Sequence, residues 1–226
     1  MVIGNRKAAM LSLTSYPSGE PVGGEIRSLT VAGYTGRNEL QIKAHIDELA
    51  RAGIAPPPRI PMFYSLPPGL ISTDSLIEVR GNTSGEVEPV LLVLGGKKFV
   101  GVGSDHTDRD LERTDIAAAK VSCPKVLAPI VLEHDFAAER WEHLALRSWF
   151  GLDRHPYQAG RTGDLRSPAE LIALMEAPLE DGAVLFMGTI PLFGAGFVST
   201  DHFEFEMSIG DDHPVIGWAY EVERSD

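Results

Sequence analysis

Short runs of alternating apolar and polar residues recur along the chain, which is the pattern of β-strands with one buried face. Glycine and proline clusters separate the runs and indicate turns, as at residues 17–19 and 95–96. We expect short strands within residues 1–31. Further strands are predicted at residues 75–80, 86–94, 99–102, 125–132, 144–150, 184–187, 203–208 and 216–222.

Two segments instead show the spacing of an amphipathic helix. The first follows Asn38, a plausible N-cap, and is expected to end near Gly53, before three prolines. The second covers residues 168–177, with Ser167 as its N-cap and Pro168 in its first turn.

The remaining connections carry no long helical pattern. Residues 59–70 contain several prolines and are expected to be extended and irregular, and residues 108–120 fit a short helix or a loop. Because strands dominate and do not alternate with helices as βαβ units, the pattern predicts an α+β, mainly-β fold with a mixed, curled sheet.

Composition and charge narrow the function classes. A chain of 226 residues forms one large domain or two small ones. Its net charge of −12 disfavours nucleic acid and anionic membranes as partners, because both favour a basic surface. The single cysteine, Cys123, allows no disulfide within the chain. With no secretory signal and no apolar run long enough to cross a bilayer, a cytoplasmic, soluble protein is expected.

Acidic residues mark the first candidate site. Glu86 and Glu88 are two positions apart on a predicted strand, so both carboxylates point to one face. Asp105 adds a third oxygen donor at the end of the next strand, and ligands that are all oxygen favour Mg²⁺, Mn²⁺ or Ca²⁺. The alternative is a solvated strand edge and, for residues 105–110, a charged surface loop.

A second candidate lies on the first helix. His45 and Glu48 are three positions apart and therefore neighbours, which is the arrangement of an acid/base pair. A histidine at the edge of an apolar stripe is more often a satisfied core residue, and from spacing alone both interpretations stay open.

In order along the chain, these motifs resemble those of the fumarylacetoacetate hydrolase superfamily, and especially a short bacterial branch described only as a domain of unknown function. The matching segments are Gly36-Arg37-Asn38 with residues 45–48, Pro61-Met62-Phe63 with Pro67-Pro68, Glu86-Val87-Glu88, residues 105–111, Lys120 with Ser122-Cys123-Pro124, Gln158 with Thr162 and Asp164, and residues 179–182 with 188–191. Two departures are a missing lysine after Phe63 and Asp108 where a small residue is usual.

The resemblance implies a mixed β-sandwich roll, a homodimer and a Mg²⁺ or Mn²⁺ ion held by Glu86, Glu88 and Asp105. It implies that His45 and Glu48 activate water. The residues it places against the substrate are Lys120, as a catalytic group, and Arg109, Gln158 and Thr189. Together with the strand pattern before it, this divides the chain into N-terminal strands in residues 1–30, packed on a fumarylacetoacetate-hydrolase-like catalytic domain of residues 31–226.

We therefore expect a metal-dependent hydrolase that cleaves a C–C bond in an acylpyruvate-like 2-oxo acid. The alternatives are a hydratase, decarboxylase or isomerase of 2-oxo acids on the same metal site, because all of these stabilise an enolate. A non-catalytic binding protein on the same fold is the third hypothesis. The sequence does not name the substrate or the physiological metal.

Overall fold

The computed structural model describes residues 9–51, 56–194, 196–209 and 214–225. Its strands are β1 (Met10–Tyr16), β2 (Pro21–Glu25), β3 (Ser28–Gly33), β4 (Met62–Leu66), β5 (Ile71–Ser72), β6 (Leu76–Val79), β7 (Thr83–Ser84), β8 (Val87–Leu94), β9 (Lys97–Asp105), β10 (Thr107–Asp108), β11 (Lys125–Leu127), β12 (Ile130–Glu133), β13 (Leu144–Phe150), β14 (His155–Arg161), β15 (Ala183–Phe186), β16 (His202–Ile209) and β17 (Pro214–Arg224). Its helices are α1 (Glu39–Arg51), α2 (Arg109–Glu112), α3 (Ile116–Val121), α4 (His134–Ala138) and α5 (Pro168–Leu174).

The strands form two principal sheets. Ten of them make the large sheet, in the order β2-β1-β12-β9-β8-β15-β3-β4, with β11 pairing β9 and β5 beside this path. The small sheet has five strands in the order β14-β13-β16-β17-β6, and β7 pairs β10 separately. The large sheet is mixed, since β1 runs parallel to β12, β15 to β3 and β11 to β5, while its other neighbouring strands are antiparallel. The predicted mainly-β fold with a mixed, curled sheet is confirmed.

Strand β8 shows where the core lies. All eight of its residues are buried, so both faces of the strand are covered. Val87 and Leu91 pack in a cluster with Phe203 of the small sheet. Val90 and Leu92 belong to a second cluster, formed by the large sheet and the segments packed on it. A strand with two buried faces is nearly continuously apolar, which explains the run of residues 89–94.

The two predicted helices are present. Helix α1 starts after Asn38, whose side-chain oxygen accepts a hydrogen bond from Leu40 N at 3.1 Å. Helix α5 has Ser167 as its N-cap, and Glu170 completes a capping box. The helix ends at Leu174, three residues earlier than predicted, because Met175 is already extended.

Other segments depart from the sequence prediction. Residues 59–70 were expected to be irregular, but β4 lies within them and pairs with β3 at the edge of the large sheet. The predicted strand at residues 125–132 is two strands, because Pro129 has no N–H for the ladder. Strand β14 and helix α4 were not predicted. The N-terminal strands belong to the large sheet, and the predicted boundary at residues 30–31 falls inside β3.

Within the described ranges, none of the helices combines the length and the apolar character needed to cross a membrane.

Candidate active site

The Glu86–Glu88 pair lies at the start of β8, on either side of the buried Val87. Two side chains hold the backbone of Val87. Its N–H donates to Gln158 Oε1 at 2.8 Å, and its carbonyl accepts from the Thr189 hydroxyl at 2.8 Å. Because alternate strand residues share a face, the side chains of Glu86 and Glu88 point together, away from Val87.

Asp105 lies at the end of β9, which is antiparallel to β8. Val87 is in register with Ser104, and Asp105 N donates to the Glu86 carbonyl at 3.0 Å. Asp105 therefore lies beside Glu86 on the face that carries both glutamates. Asp105 is fully buried and Glu88 is 3% exposed. The structure thus brings together the three carboxylates that the sequence singled out.

Two lysines neutralise Asp105. The Lys120 ammonium, from α3, contacts Asp105 Oδ2, and Lys125 Nζ, from β11, lies 2.9 Å from Oδ1. Burial alone would raise the pKa of Asp105, but the two lysines outweigh it and hold the pKa well below the ordinary value. Asp105 is therefore an anion at neutral pH.

Lys120 interacts with all three carboxylates. Burial by itself lowers the pKa of its ammonium, but the charges of Asp105, Glu88 and Glu86 raise the pKa above the ordinary value. Burial also has the largest effect on Lys125, because it lowers the pKa of the ammonium group. The charge of Asp105 raises that pKa and the charge of Lys120 lowers it, so the pKa stays below the ordinary value.

Arg109, on α2, is the cation that pairs with Glu86, and it is shared with Glu112 of the same helix. Arg109 Nη2 lies 3.0 Å from Glu86 Oε2, and its Nη1 lies 2.8 Å from Glu112 Oε2. Burial nevertheless keeps the pKa of Glu86 above its usual value, with Arg109 opposing the shift.

Glu88 is the least compensated member. It accepts a hydrogen bond from Gly188 N at 2.8 Å and has no ion pair with any residue in the described parts of the chain. Burial, followed by the charge of Asp105, raises its pKa well above the ordinary value. Gly188 has φ +93°, and a Cβ there would lie 1.9 Å from Thr35 Oγ1, so the approach of its N–H to Glu88 requires glycine.

These side chains form what we call the acid–base cluster. Its members are Glu86, Glu88, Asp105, Glu112, Arg109, Lys120 and Lys125. When all are ionised it holds four negative and three positive charges. One negative charge is left over in a buried place, so either a proton on Glu88 or an added cation would balance it.

Whether a divalent ion fits can be judged from the donors. Among the residues that the structure describes, no group of three or more His, Cys, Asp or Glu side chains is already arranged as a metal shell. The chemistry of the donors nevertheless fits, because three carboxylates, two of them buried and the third 13% exposed, supply hard oxygen ligands, and Glu88 makes no ion pair in the described parts of the chain. The metal assignment to Glu86, Glu88 and Asp105 stays a prediction.

Gln158 and Thr189 lie behind the cluster. The amide of Gln158 accepts from Val87 N and from the Ser148 hydroxyl, at 2.8 and 3.0 Å. It donates to Thr189 Oγ1 at 2.8 Å and to the Ile190 carbonyl at 2.7 Å. These bonds join β8, β13, β14 and the segment after β15. In this arrangement the side chain positions the glutamate pair, and the predicted substrate contacts of Gln158 and Thr189 stay predictions.

Arg109, also predicted to contact the substrate, is committed to Glu86, Glu112 and Ser84. The other predicted pair, His45 and Glu48, falls on α1, but both side chains lie outside the described part of the structure. Their predicted roles are likewise untested.

Two other residues of the acidic run 105–110 have structural roles, Asp108 as a helix cap and His106 as a buried hydrogen-bonded side chain. Asp108 caps α2 by accepting from the N–H groups of Asp110 and Leu111, both at 3.0 Å. His106 is buried on the opposite face of the hairpin, with its ring nitrogens 3.0 Å from the Tyr220 hydroxyl and 2.8 Å from that of Thr83.

Two members of the cluster, Lys125 and Glu112, were not among the predicted site residues. Lys125 opens an otherwise apolar run, and a lone charge in such a run is a signal of a buried ion pair. Glu112 follows Arg109 by three positions, which is the spacing of a helical ion pair.

Comparison with known families decides the classification. The model of the family described as "Protein of unknown function (DUF2848)" matches residues 32–220 of this chain. The chain belongs to this family. No curated protein matches the sequence. The fold of this DUF2848 member is shared with solved members of the fumarylacetoacetate hydrolase family, which confirms the predicted resemblance.

Three solved structures illustrate the shared fold. A fumarylpyruvate hydrolase from Pseudomonas aeruginosa, in complex with Mn²⁺ and pyruvate, is 17% identical with a TM-score of 0.65, and the match covers 100% of both chains. A yeast fumarylacetoacetate hydrolase family protein is 14% identical with a TM-score of 0.62, covering 88% of this chain and 94% of that one. A 2-keto-3-deoxyarabinonate dehydratase is 17% identical with a TM-score of 0.64, covering 89% and 75%.

Proposed function

We propose that this chain is a divalent-metal-dependent enzyme that hydrolyses a C–C bond in an acylpyruvate-like 2-oxo acid. The observation that carries the proposal is the trio of Glu86, Glu88 and Asp105, in which Glu88 and Asp105 are buried and the Glu86 side chain is 13% exposed, and whose negative charge is not fully balanced. Carboxylates that only pack do not collect in a buried place, because they repel one another. The fold neighbour in complex with Mn²⁺ and pyruvate supports both the metal and the substrate class.

Glu86, Glu88 and Asp105 would hold the cation, and Mg²⁺ and Mn²⁺ suit an all-carboxylate donor set, with Ca²⁺ as a further candidate. A bound cation supplies positive charge at the end of the substrate where the 2-oxo group becomes an enolate. Lys120 adds a fixed positive charge there, since its raised pKa keeps it protonated at neutral pH.

In the reaction, water adds to the distal carbonyl carbon, and the bond from that carbon to C3 of the 2-oxo acid breaks. The electron pair passes to C3, which then takes a proton, so the products are a carboxylic acid and a shorter 2-oxo acid. His45, oriented by Glu48, would accept the proton of the attacking water, and Lys120 would stabilise the oxyanion. Both residues of the pair lie on α1, three positions apart.

A second candidate keeps the site and changes the reaction to dehydration, hydration, decarboxylation or isomerisation of a 2-oxo acid. It is supported by the dehydratase among the fold neighbours, because one fold carries both chemistries. The His45–Glu48 pair favours hydrolysis, which needs activated water. The predicted homodimer and cytoplasmic location also stay predictions.

The test is an assay of acylpyruvates, oxaloacetate and 2-oxopentenoates with Mn²⁺ or Mg²⁺, with and without a chelator. We expect cleavage of an acylpyruvate that the chelator abolishes and that added metal restores. Glu88→Gln should lower kcat/KM at least about 100-fold and weaken Mn²⁺ binding, because it removes the least compensated charge.

Glu78→Gln is the matched control, since Glu78 is exposed on β6, and it should leave both kcat/KM and Mn²⁺ affinity unchanged. Full activity in the chelated protein, or in the Glu88→Gln variant, would contradict the proposal. Conversion of a 2-oxo acid without hydrolysis would instead support the second candidate.

A further inference from the structure

Arg109, the arginine of the acid–base cluster, already forms ion pairs with two carboxylates. Arg109 is buried and donates to Glu86 through Nη2 and to Glu112 through Nη1. Its Nε donates to Ser84 Oγ at 2.7 Å, and Nη2 also donates to the Ser84 carbonyl at 3.1 Å. An arginine that recognises a substrate carboxylate presents two free parallel N–H groups, and this one has both edges engaged.

One face of the same guanidinium is covered as well. The ring of Phe197 lies with its centroid 3.6 Å from Arg109 Cζ, which is the distance of a stacked cation–π contact. The phenyl ring is half exposed, so it shields the arginine from solvent. Arg109 is thereby unavailable to an incoming anion from this side.

Glu112 is the member of the pair that reaches the surface of the cluster. Its side chain is 22% exposed, against 4% for Arg109. The charge of Glu112 raises the pKa of two nearby phenols, Tyr34 and Tyr64. Burial first, and then Glu112, raises the pKa of Tyr34, and burial, Tyr34 and Glu112 together raise the pKa of Tyr64 to about 12.

The two tyrosines also lie near Lys120. Lys120 Nζ is 5.9 Å from the ring centroid of Tyr64, and its charge acts on both phenols. Glu112, Tyr34, Tyr64 and Lys120 therefore share one side of the cluster. The partly exposed surface they form has two neutral phenols and one carboxylate, and the two cations of the cluster beside it are already paired, Arg109 with Glu86 and Glu112 and Lys120 with Asp105.

We propose that Glu112 is a specificity-determining residue that excludes a second carboxylate, so that the substrate is a 2-oxo monocarboxylic acid with an uncharged, hydrogen-bonding tail. The inference rests on the proposed function, since it takes the 2-oxo acid end to be bound at the three carboxylates. A distal carboxylate would meet Glu112 without a free cation, and like charges brought together in a partly buried place repel. A hydroxyl or carbonyl tail meets hydrogen-bonding groups instead.

The test compares two ligands of equal length that differ in one group, 2-oxopentanoate and 2-oxoglutarate. Their dissociation constants are measured by calorimetry with Mn²⁺ present. We expect the wild-type protein to bind the monocarboxylate at least about tenfold more tightly. Glu112→Gln keeps the shape of the side chain and removes its charge, and it should reduce this preference by about tenfold, through tighter binding of 2-oxoglutarate.

Asp110→Asn is the control, because it removes one negative charge from the same helix at an exposed position outside the cluster. It should leave the preference as in the wild type. Equal or tighter binding of 2-oxoglutarate by the wild-type protein overturns the inference, as does a Glu112→Gln variant with the wild-type preference. If neither ligand binds in the presence of Mn²⁺, the proposed function itself fails, which is a separate result.

Discussion

At the scale of single residues, a glycine fixes the least compensated carboxylate. Gly188 donates its N–H to Glu88, and its left-handed φ of +93° brings its Cα against Thr35. Gly188→Ala places a Cβ in contact with the Thr35 hydroxyl, so the segment must shift away from Glu88. We expect a loss of about 1–3 kcal/mol in the free energy of unfolding and weaker Mn²⁺ binding. Urea denaturation and a metal titration measure the two effects.

Gly19→Ala is the matched control for this change. Gly19 has a similar φ of +75°, but a Cβ there would meet nothing within 4 Å. The control carries the backbone strain without the collision, and it should keep the wild-type affinity for Mn²⁺. Equal losses of stability in the two variants would mean that Gly188 matters for its φ alone and not for its approach to Thr35.

Single residues also show what could be read from the sequence. The alternation of side chains along a strand predicted that Glu86 and Glu88 share a face, and they do lie on either side of the core residue Val87. The partners of Asp105 could not be read in this way. Lys125 meets Asp105 because β11 pairs with β9 in one register, and a register between distant strands is set by tertiary packing.

At the scale of elements, one side chain links the two sheets. Gln158 lies on β14 of the small sheet and bonds to Val87 of the large sheet, to Ser148 of β13 and to the segment after β15. Gln158→Ala leaves buried donors without partners, which costs about 1–3 kcal/mol of unfolding free energy. Glu86 and Glu88 are the chain neighbours of Val87, so a shift of the Val87 backbone moves both carboxylates. The affinity of the protein for Mn²⁺ should therefore fall as well.

Ser148→Ala gives the graded comparison, since it removes one of these hydrogen bonds and leaves the Val87 bond in place. A smaller loss of stability and an unchanged Mn²⁺ affinity are expected for it in the same measurements. If Gln158→Ala keeps the wild-type affinity, the link between the sheets does not position the glutamates.

The elements themselves were predictable where local patterns decide them. Helix α5 has a complete capping box and a proline in its first turn, and it begins where the sequence indicates. Strand β14 was not predicted because its two buried residues, Tyr157 and Gln158, are adjacent and one of them is polar, so no apolar alternation marks the segment; it is a strand by virtue of its pairing with β13. The single strand predicted at residues 125–132 is two strands with different neighbours, since β11 pairs with β5 whereas β12 pairs with β1. These pairings depend on distant segments and cannot be predicted from the local pattern.

At the scale of the whole molecule, the β8–β9 hairpin separates two kinds of polar chemistry. One face of the β8–β9 end carries the charged acid–base cluster, and the other carries the neutral network of His106, Tyr220, Thr83 and Ser104. Gly85 lets these groups pack, since a Cβ there would lie 2.2 Å from Ser104 Oγ. The neutral face ties the large sheet to the small one, so the protonation state of His106 affects the stability of the entire fold.

That dependence gives a prediction for unfolding against pH. Burial, with the nearby charges of Lys125 and Arg109, lowers the pKa of His106 to about 3. In the unfolded chain a histidine takes up its proton near pH 6.5, so acid favours unfolding between these two values. The stabilising contribution is complete above about pH 6.5 and is lost as the pH falls towards 3. From pH 7.5 to 5.5 it amounts to a loss of about 1.4 kcal/mol.

The measurement is urea denaturation of the wild type and of His106→Asn at both pH values. The raised pKa values of Glu86 and Glu88 act in the opposite direction, because folded carboxyls that keep a proton gain stability in acid, but they are common to both proteins. The difference in unfolding free energy between the two proteins should therefore shrink by about 1.4 kcal/mol from pH 7.5 to 5.5.

Tyr220→Phe is the control, because it disturbs the same hydrogen-bond network and keeps the imidazole. It should lose stability and retain the wild-type pH dependence. A His106→Asn variant whose deficit is the same at both pH values would show that His106 is not buried as a neutral group.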